Sequence, residues 1–317
     1  MTDYHEPRTL DEACELLHRY GEDAKVLAGG TALVLFMRQG LLDPGCLINI
    51  QHVEGISGIG GTEDGAADES AAGTAAPSPL EGEGWGGGWI GALTTHSQAA
   101  ASPLIRERYP ALVSTLRHVA TPRIRNAGTI GGNLAHGDPH LDPPVTLLAL
   151  DGVAVAQSTR GQRSLPLTSF FRDYYETALA PDEILTRVLL PPSAPRSGAA
   201  FIKFLPRSQD DYATVDVAAW VRLTEASADS QIADVRIALG SVGPVPFRAL
   251  GAEGLLKGER IGDEILAEAG ERAAAACDPE DDVRGSASYK REVVKVLVRR
   301  AFLQAMERAR DGEGGMA

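Results

Sequence analysis

Cysteine is scarce in this 317-residue chain: Cys14, Cys46 and Cys277 are the only three, and they stand far apart. They form no C-x-x-C pair and no four-cysteine set, so the chain alone cannot ligate an iron–sulfur cluster or a cysteine-bound zinc. Scattered thiols of this kind read as buried or free groups in a reducing cytosol. Basic charge is also short. The 30 Lys and Arg against 43 Asp and Glu leave a net charge of −13, which excludes a general binder of nucleic-acid backbone, because that affinity rests on clustered cations. No apolar run approaches the ~20 residues of a membrane span. The N-terminus, MTDYHEPRTLDEA, has neither a basic n-region nor an apolar h-region, so a cytoplasmic location is expected.

Glycine is abundant and concentrated. Thr121 to Asp142, TPRIRNAGTIGGNLAHGDPHLD, sets Gly128, Gly131, Gly132 and Gly137 among Thr121, Asn126, Thr129, Asn133, Asp138 and Asp142. Glycines let backbone approach a ligand closely, and successive exposed N–H groups form an anion-binding nest. Hydroxyl and amide side chains beside them suit phosphate or ribityl oxygens. A second site lies upstream, where an apolar strand (Lys25–Ala28) runs through Gly29-Gly30-Thr31 into a helix (Ala32–Arg38). That order points N–H groups and a helix dipole at an anion. Its spacing is neither the Rossmann nor the Walker pattern. Each site alone also fits an ordinary connector; together they suggest one phosphorylated cofactor clamped from two sides.

Around these sites the chain alternates helix and strand. Thr9-Leu10-Asp11-Glu12 reads as a capping box for a helix that Gly21 ends, and Cys46–Ile50 reads as a strand closing a small α/β subdomain. Gly61 to Gly88 holds eight glycines and six acidic residues with no Lys or Arg; such a segment buries too little apolar surface to offset its ordering entropy, and is expected to be a flexible insertion. Trp89–Leu93 resumes as a strand, Thr95 and Gln98 suggest another capping box, and Ala111–Val119 reads as a helix. Leu147–Leu150, Val153–Ala156 and Ile184–Leu190 are expected to be core strands or helical turns. Beyond a proline-rich linker, Phe201–Leu205, Val215–Leu223 and Ile232–Leu239 read as three strands. Alternation at Val215, Val217, Ala219, Val221 and Leu223 predicts a sheet with one covered face. Helices are expected at Ile261–Ala276 and Ser288–Arg308.

AGGT at Ala28–Thr31 and TPRIRNAGTIGGNLAHGDPHLDPP at Thr121–Pro144 resemble the FAD subunit of the molybdenum hydroxylases, the family of the xanthine dehydrogenase flavin domain and the carbon monoxide dehydrogenase medium subunit. Pro181–Pro191, Ala199–Val215, Gly240–Ala249 and Asp282–Ala301 extend the resemblance in order along almost the whole chain. It implies an α+β fold: a two-subdomain FAD-binding PCMH-type domain at 1–196 (subdomains about 1–57 and 58–196, insertion 61–88), then a small C-terminal domain at 199–310 with a three-stranded sheet and helices. It implies FAD held by Leu27, Ala28, Gly29, Gly30, Thr31 and Ala32 at the first site. At the second it implies Thr121, Ile124, Asn126, Thr129, Gly131, Gly132 and Asn133. Asp142 is implied at ribose hydroxyls, with a helix N-cap as its other reading, and Leu185 and Lys203 near the isoalloxazine. Arg207, Asp210 and Asp211 match a charged loop over the flavin, or are a plain surface turn. Thr31 stands where a neighbouring oxidase class has a flavin-linked histidine, so the FAD is expected to be non-covalent. Some relatives carry an extra iron–sulfur cluster on an inserted loop; this insertion has no cysteine, so none is expected.

The implied function is an electron-transfer subunit of a multi-subunit oxidoreductase. Molybdopterin would sit in a large partner and [2Fe–2S] clusters in a small one, in a heterotrimer or its dimer. No catalytic acid, base or nucleophile and no metal site is expected in this chain, since FAD carries the redox chemistry. His136 and His140 read as loop hydrogen-bonding groups, and His96 and His118 show no partner in the sequence. The alternatives are a stand-alone FAD-dependent oxidoreductase of the same cofactor-binding fold, and a flavin-free assembly scaffold.

Overall fold

The structure is a computed structural model that describes residues 2–61, 86–205, 207–208, 210–227 and 229–312. It is α+β. The first unit is a parallel three-stranded sheet. β1 (Asp3–His5) leads to α1 (Leu10–Tyr20), then β2 (Ala24–Leu27), α2 (Leu33–Arg38) and β3 (Cys46–Asn49), with β3 in the middle. Thr9 caps α1 by accepting from the Glu12 N–H, while the Glu12 carboxylate takes the Arg8 N–H instead of the cap's own, one residue off the expected box. Ala13, Cys14 and Leu17 bury the inner face of α1 against Cys46, Ile48 and Ile50.

The second unit is an antiparallel sheet in the order β4-β5-β10-β6-β7, made of β4 (Ile59–Gly61), β5 (Gly88–Gly91), β6 (Val153–Ser158), β7 (Gly161–Pro166) and β10 (Ile184–Leu190). Two short strands, β8 (Phe171–Asp173) and β9 (Glu176–Thr177), form a separate hairpin. Gly61 pairs with Gly88, so both ends of the acidic insertion belong to a strand pair; the expected flexibility of 62–85 lies outside the described residues. Six helices follow β5: α3 (His96–Ala101), α4 (Pro103–Arg108), α5 (Pro110–His118), α6 (Pro122–Ala127), α7 (Ile130–His136) and α8 (Asp142–Ala149). Thr95 and Gln98 form the full capping box of α3. The main glycine segment is therefore not an open nest but two capped helical pieces. Thr121 starts α6 and Thr129 starts α7.

The third unit carries β11 (Ser197–Phe204), β12 (Val215–Leu223), β13 (Ile232–Gly240) and a two-residue edge strand, β14 (Phe247–Arg248). α9 (Leu250–Leu256), α10 (Asp263–Ala275) and the 25-residue α11 (Ala287–Asp311) follow. Val215, Val217, Ala219 and Val221 pack on these helices. The opposite face was expected to be open and is not: Phe201, Ala218, Trp220 and Ala238 join the core of the second unit. The sheet is covered on both sides because α5 and α8 lie across it. All eight residues of α8 are buried, and an ion pair marks each end of the seam it fills. Asp142 meets Lys203 at its N-terminus; Asp151, just past its C-terminus, meets Arg236 and Arg248. No helix among the described residues is long and apolar enough to cross a membrane.

Candidate cofactor site

The two glycine segments meet in space. A Cβ on Gly29 would clash with the Ala127 carbonyl oxygen, and one on Gly132 would lie 3.8 Å from the Ala28 methyl group. The first segment leaves β2, turns through Gly30 at φ +69° and enters α2. Ala32 occupies the N-cap without a side chain that could cap, and the N–H groups of Gly30, Thr31, Ala32 and Leu33 donate to no described residue. Such a row of unsatisfied donors at a helix start is a ready anion site. Leu27 is the last strand residue, and the Ala28 carbonyl accepts from Gln51 Nε2 at 2.6 Å, which ties the turn to the end of β3.

The second segment is arranged in the opposite sense. The Ile130 N–H donates to Thr94 O and the Gly131 N–H to Ala92 O, each at 2.9 Å, and Gly132 N–H donates to Thr129 Oγ1 at 3.1 Å. Those donors were expected to face phosphate; here Ile130 and Gly131 tie α7 to the segment just past β5, and Gly132 closes its N-cap. The close approach needs glycine, since a Cβ on Gly131 would lie 2.8 Å from Ala92 Cα. What this segment leaves open is side chains. Asn133 Oδ1 is buried without a hydrogen-bond partner. Ile124 is exposed, Thr121 accepts from the Ile124 N–H, and Asn126 Oδ1 accepts from Ser97 Oγ at 2.5 Å.

Asp142 is the first residue of α8, with Leu141 at the N-cap, so the capping role does not hold. Its Oδ2 accepts from Lys203 Nζ at 2.9 Å, and its Oδ1 is buried and unpartnered. Burial raises its pKa to about 6, against the opposing pull of Lys203. The Lys203 side chain is buried and also donates to His118 O at 3.1 Å. Leu185 is buried in the core that holds Ile130 and Leu134, beside a register break in β10. Of the charged loop, Asp211 approaches Arg284 at 3.9 Å, and Tyr212 stacks between His140 and Arg284.

The histidines are structural. His136 packs with Phe36 and Tyr175 in a three-ring group that joins α2 to α7. His140 Nδ1 lies 2.9 Å from Asp138 Oδ1. His118 does have a partner, Ser114 O, at 2.7 Å. His96 is buried, its backbone N–H donates to Gly128 O, and burial pushes the pKa of its imidazole down to about 4. No group of three potential metal ligands occurs among the described residues. The three thiols are free and buried. A cavity of about 170 Å³ lies at the far end of the inter-unit seam, lined by Arg108, Trp220, Arg222, Arg236 and Arg308, away from the glycine turn.

Residues 1–71 and 83–193 match the FAD binding domain in molybdopterin dehydrogenase, and residues 200–305 match the CO dehydrogenase flavoprotein C-terminal domain. The chain belongs to the FAD-binding medium subunits of the molybdenum hydroxylase family. It is 32% identical to the carbon monoxide dehydrogenase medium chain of Hydrogenophaga pseudoflava over 96% of this chain and 97% of that one. It is 35% identical to the nicotine 6-hydroxylase medium subunit of Paenarthrobacter nicotinovorans over 95% and 96%. The structure of carbon monoxide dehydrogenase from H. pseudoflava superposes with a TM-score of 0.85 at 32% identity, covering 97% of this chain and 98% of that chain. As a medium subunit this protein is an oxidoreductase component whose cofactor is FAD. The donor row at Gly30–Leu33 fits a pyrophosphate, and the unpartnered oxygens of Asn133 and Asp142 fit hydroxyl or imide donors. Sequence reasoning missed Asp216, which faces Asp142, and its neighbours Thr214 and Ser241, whose buried side-chain oxygens also lack partners. An aspartate inside the run Val215-Asp216-Val217-Ala218-Ala219 was the visible signal.

Proposed function

We propose that this subunit carries electrons between [2Fe–2S] clusters of a small partner and an external acceptor or donor, while a large molybdopterin-bearing partner handles the organic substrate. The observation that carries the reading is the row of four unsatisfied N–H groups at Gly30–Leu33, set against a second segment that is rigidly anchored. Leu27, Ala28, Gly29, Gly30, Thr31 and Ala32 would hold the pyrophosphate; Thr121, Ile124, Asn126, Thr129, Gly131, Gly132 and Asn133 would flank it. Asp142 would accept from a hydroxyl, and Leu185 and Lys203 would lie toward the ring system. FAD supplies reversible one- and two-electron chemistry, and the chain's part is to bind, orient and shield it. With Thr31 in the loop, attachment is non-covalent. The reading includes division near residues 57 and 196–199, a heterotrimer or its dimer, and a cytoplasmic location. The relatives are named as medium chains and subunits of dehydrogenases and hydroxylases, and the three buried thiols leave this chain no cluster of its own.

The test is purification alone and with its genomic neighbours. About one FAD per chain, released by acid, is expected. Flavin that stays with the precipitated polypeptide overturns the non-covalent assignment, and failure to take up FAD overturns the site. Organic substrates should reduce the flavin only in the assembled complex; rapid reduction of the lone chain would establish a stand-alone oxidoreductase instead.

A further inference from the structure

Asp216 is a fully buried carboxylate at the cofactor end of the seam. It pairs with Lys203 on β11 and with Gly240 on β13, so the three share one face of the sheet. That face looks at α8: a Cβ on Gly240 would lie 2.5 Å from Val145 Cγ2 and 2.6 Å from Asp216 Oδ1. Neither Asp216 oxygen meets hydrogen-bond geometry with a described residue, although Ser241 Oγ stands close enough to favour its ionised form, and Asp142 Oδ1 and Thr214 Oγ1 lack partners as well. Lys203 Nζ is already held by Asp142 Oδ2 and His118 O. The groups facing Asp216 are Asp142 from α8, Lys203 from β11 and Ser241 just past β13, with His118 of α5 behind them.

One ammonium therefore serves two buried carboxylates. Leaving the second one ionised and unpaired in a dry seam is strongly unfavourable. A proton on either carboxylate turns an orphaned acceptor into a donor and makes the cluster neutral. Asp216 is the better carrier, because Lys203 bonds to Asp142 and not to it. Burial, then the charge of Asp142, hold the Asp216 carboxyl well above the usual carboxylate range.

We propose that Asp216 is a positioning residue that keeps one proton at neutral pH, so that the Asp142–Lys203–Asp216 cluster presents no net charge to the flavin. Loss of that proton to alkaline solvent leaves the cluster at −1 and weakens the hold on a cofactor that itself carries phosphate charge. The proposal rests on the reading that FAD docks beside Asp142.

Two measurements on the full chain decide it. Infrared spectra of flavin-free protein at neutral pH should show the C=O stretch of a protonated carboxylic acid that Asp216→Asn removes. Asp142→Asn should remove it too, because Asp216 then ionises as the partner of Lys203. FAD titrations should show wild-type affinity falling on the alkaline side by a limiting factor of about tenfold per pH unit, and Asp216→Asn should abolish that fall. A band that survives in Asp216→Asn, or an alkaline fall that persists in it, overturns the proposal. Absence of FAD binding by wild type at every pH overturns the docking reading instead, and the infrared band still decides whether Asp216 is protonated.

Discussion

The two glycine segments are similar in composition and opposite in construction. At Gly29–Thr31 glycine lets the chain turn, and the N–H groups of Gly30, Thr31, Ala32 and Leu33 donate to no described residue. At Gly128–Gly132 glycine lets α7 sit against β5, and the N–H groups of Ile130, Gly131 and Gly132 are all taken by protein oxygens. One segment offers donors; the other is the wall that holds the first in place. Glycine richness in a sequence thus marks close approach without saying whether a ligand or another strand is what approaches.

The largest effect should come from joining the two where they touch. Gly29→Val places a branched side chain against the Ala127 carbonyl, so it should cost about 3 kcal/mol of stability. It should also weaken FAD binding by more than about a hundredfold. Flavin titration and urea midpoints measure the two losses; tight FAD binding by this variant would break the contact between segments.

The wall should also be the acid-sensitive part. The buried His96 imidazole packs beside Gly128 and has a folded pKa of about 4, below its ordinary value of 6.5. Its contribution is fully present above 6.5 and is lost as pH falls through 6.5 toward 4, on the order of 3 kcal/mol. Asp142, raised to about 6, runs the other way: its contribution is present at low pH and is lost as pH rises through 6. His96→Leu should therefore flatten the acid limb of stability and leave the opposite slope of Asp142. An unchanged acid limb would remove His96 from this role. Gly131→Ala, which crowds Ala92, should cost about 2 kcal/mol in flavin-free and flavin-loaded protein alike.

Much of the fold was legible because local signals agreed with tertiary packing. The Thr95–Gln98 box, the β2–Gly–α2 order and the alternation along β12 all have local causes. The second face of β12 was not legible, since Asp216, Ala218 and Trp220 read as a polar or neutral stripe until α8 is laid across them. The contrast between the glycine segments was hidden for the same reason: Ala92 and Thr94, which take the donors of α7, lie more than thirty residues upstream. Candidate side chains such as Thr129 and Asn133 were visible as types, but their hydrogen-bond partners depend on which strand end α7 meets.

The smallest effects give the sharpest test, because they separate the two threonines. Thr129 Oγ1 accepts the Gly132 N–H at the start of α7, so it acts as a helix cap. Thr129→Ala should lower the stability of flavin-free protein by about 1 kcal/mol, the ordinary cost of losing such a cap. Thr31 makes no hydrogen bond to a described residue and sits in the open donor row. Thr31→Ala should leave flavin-free stability within about 0.5 kcal/mol and weaken FAD binding by about tenfold, the lower end of what one hydrogen bond to a charged group is worth. Denaturation of the flavin-free variants and FAD titration give the two readings side by side. A reversed pattern, with Thr31 stabilising the empty fold and Thr129 governing only affinity, would mean that the donors of α7 are released to the cofactor on binding and that both segments clamp it.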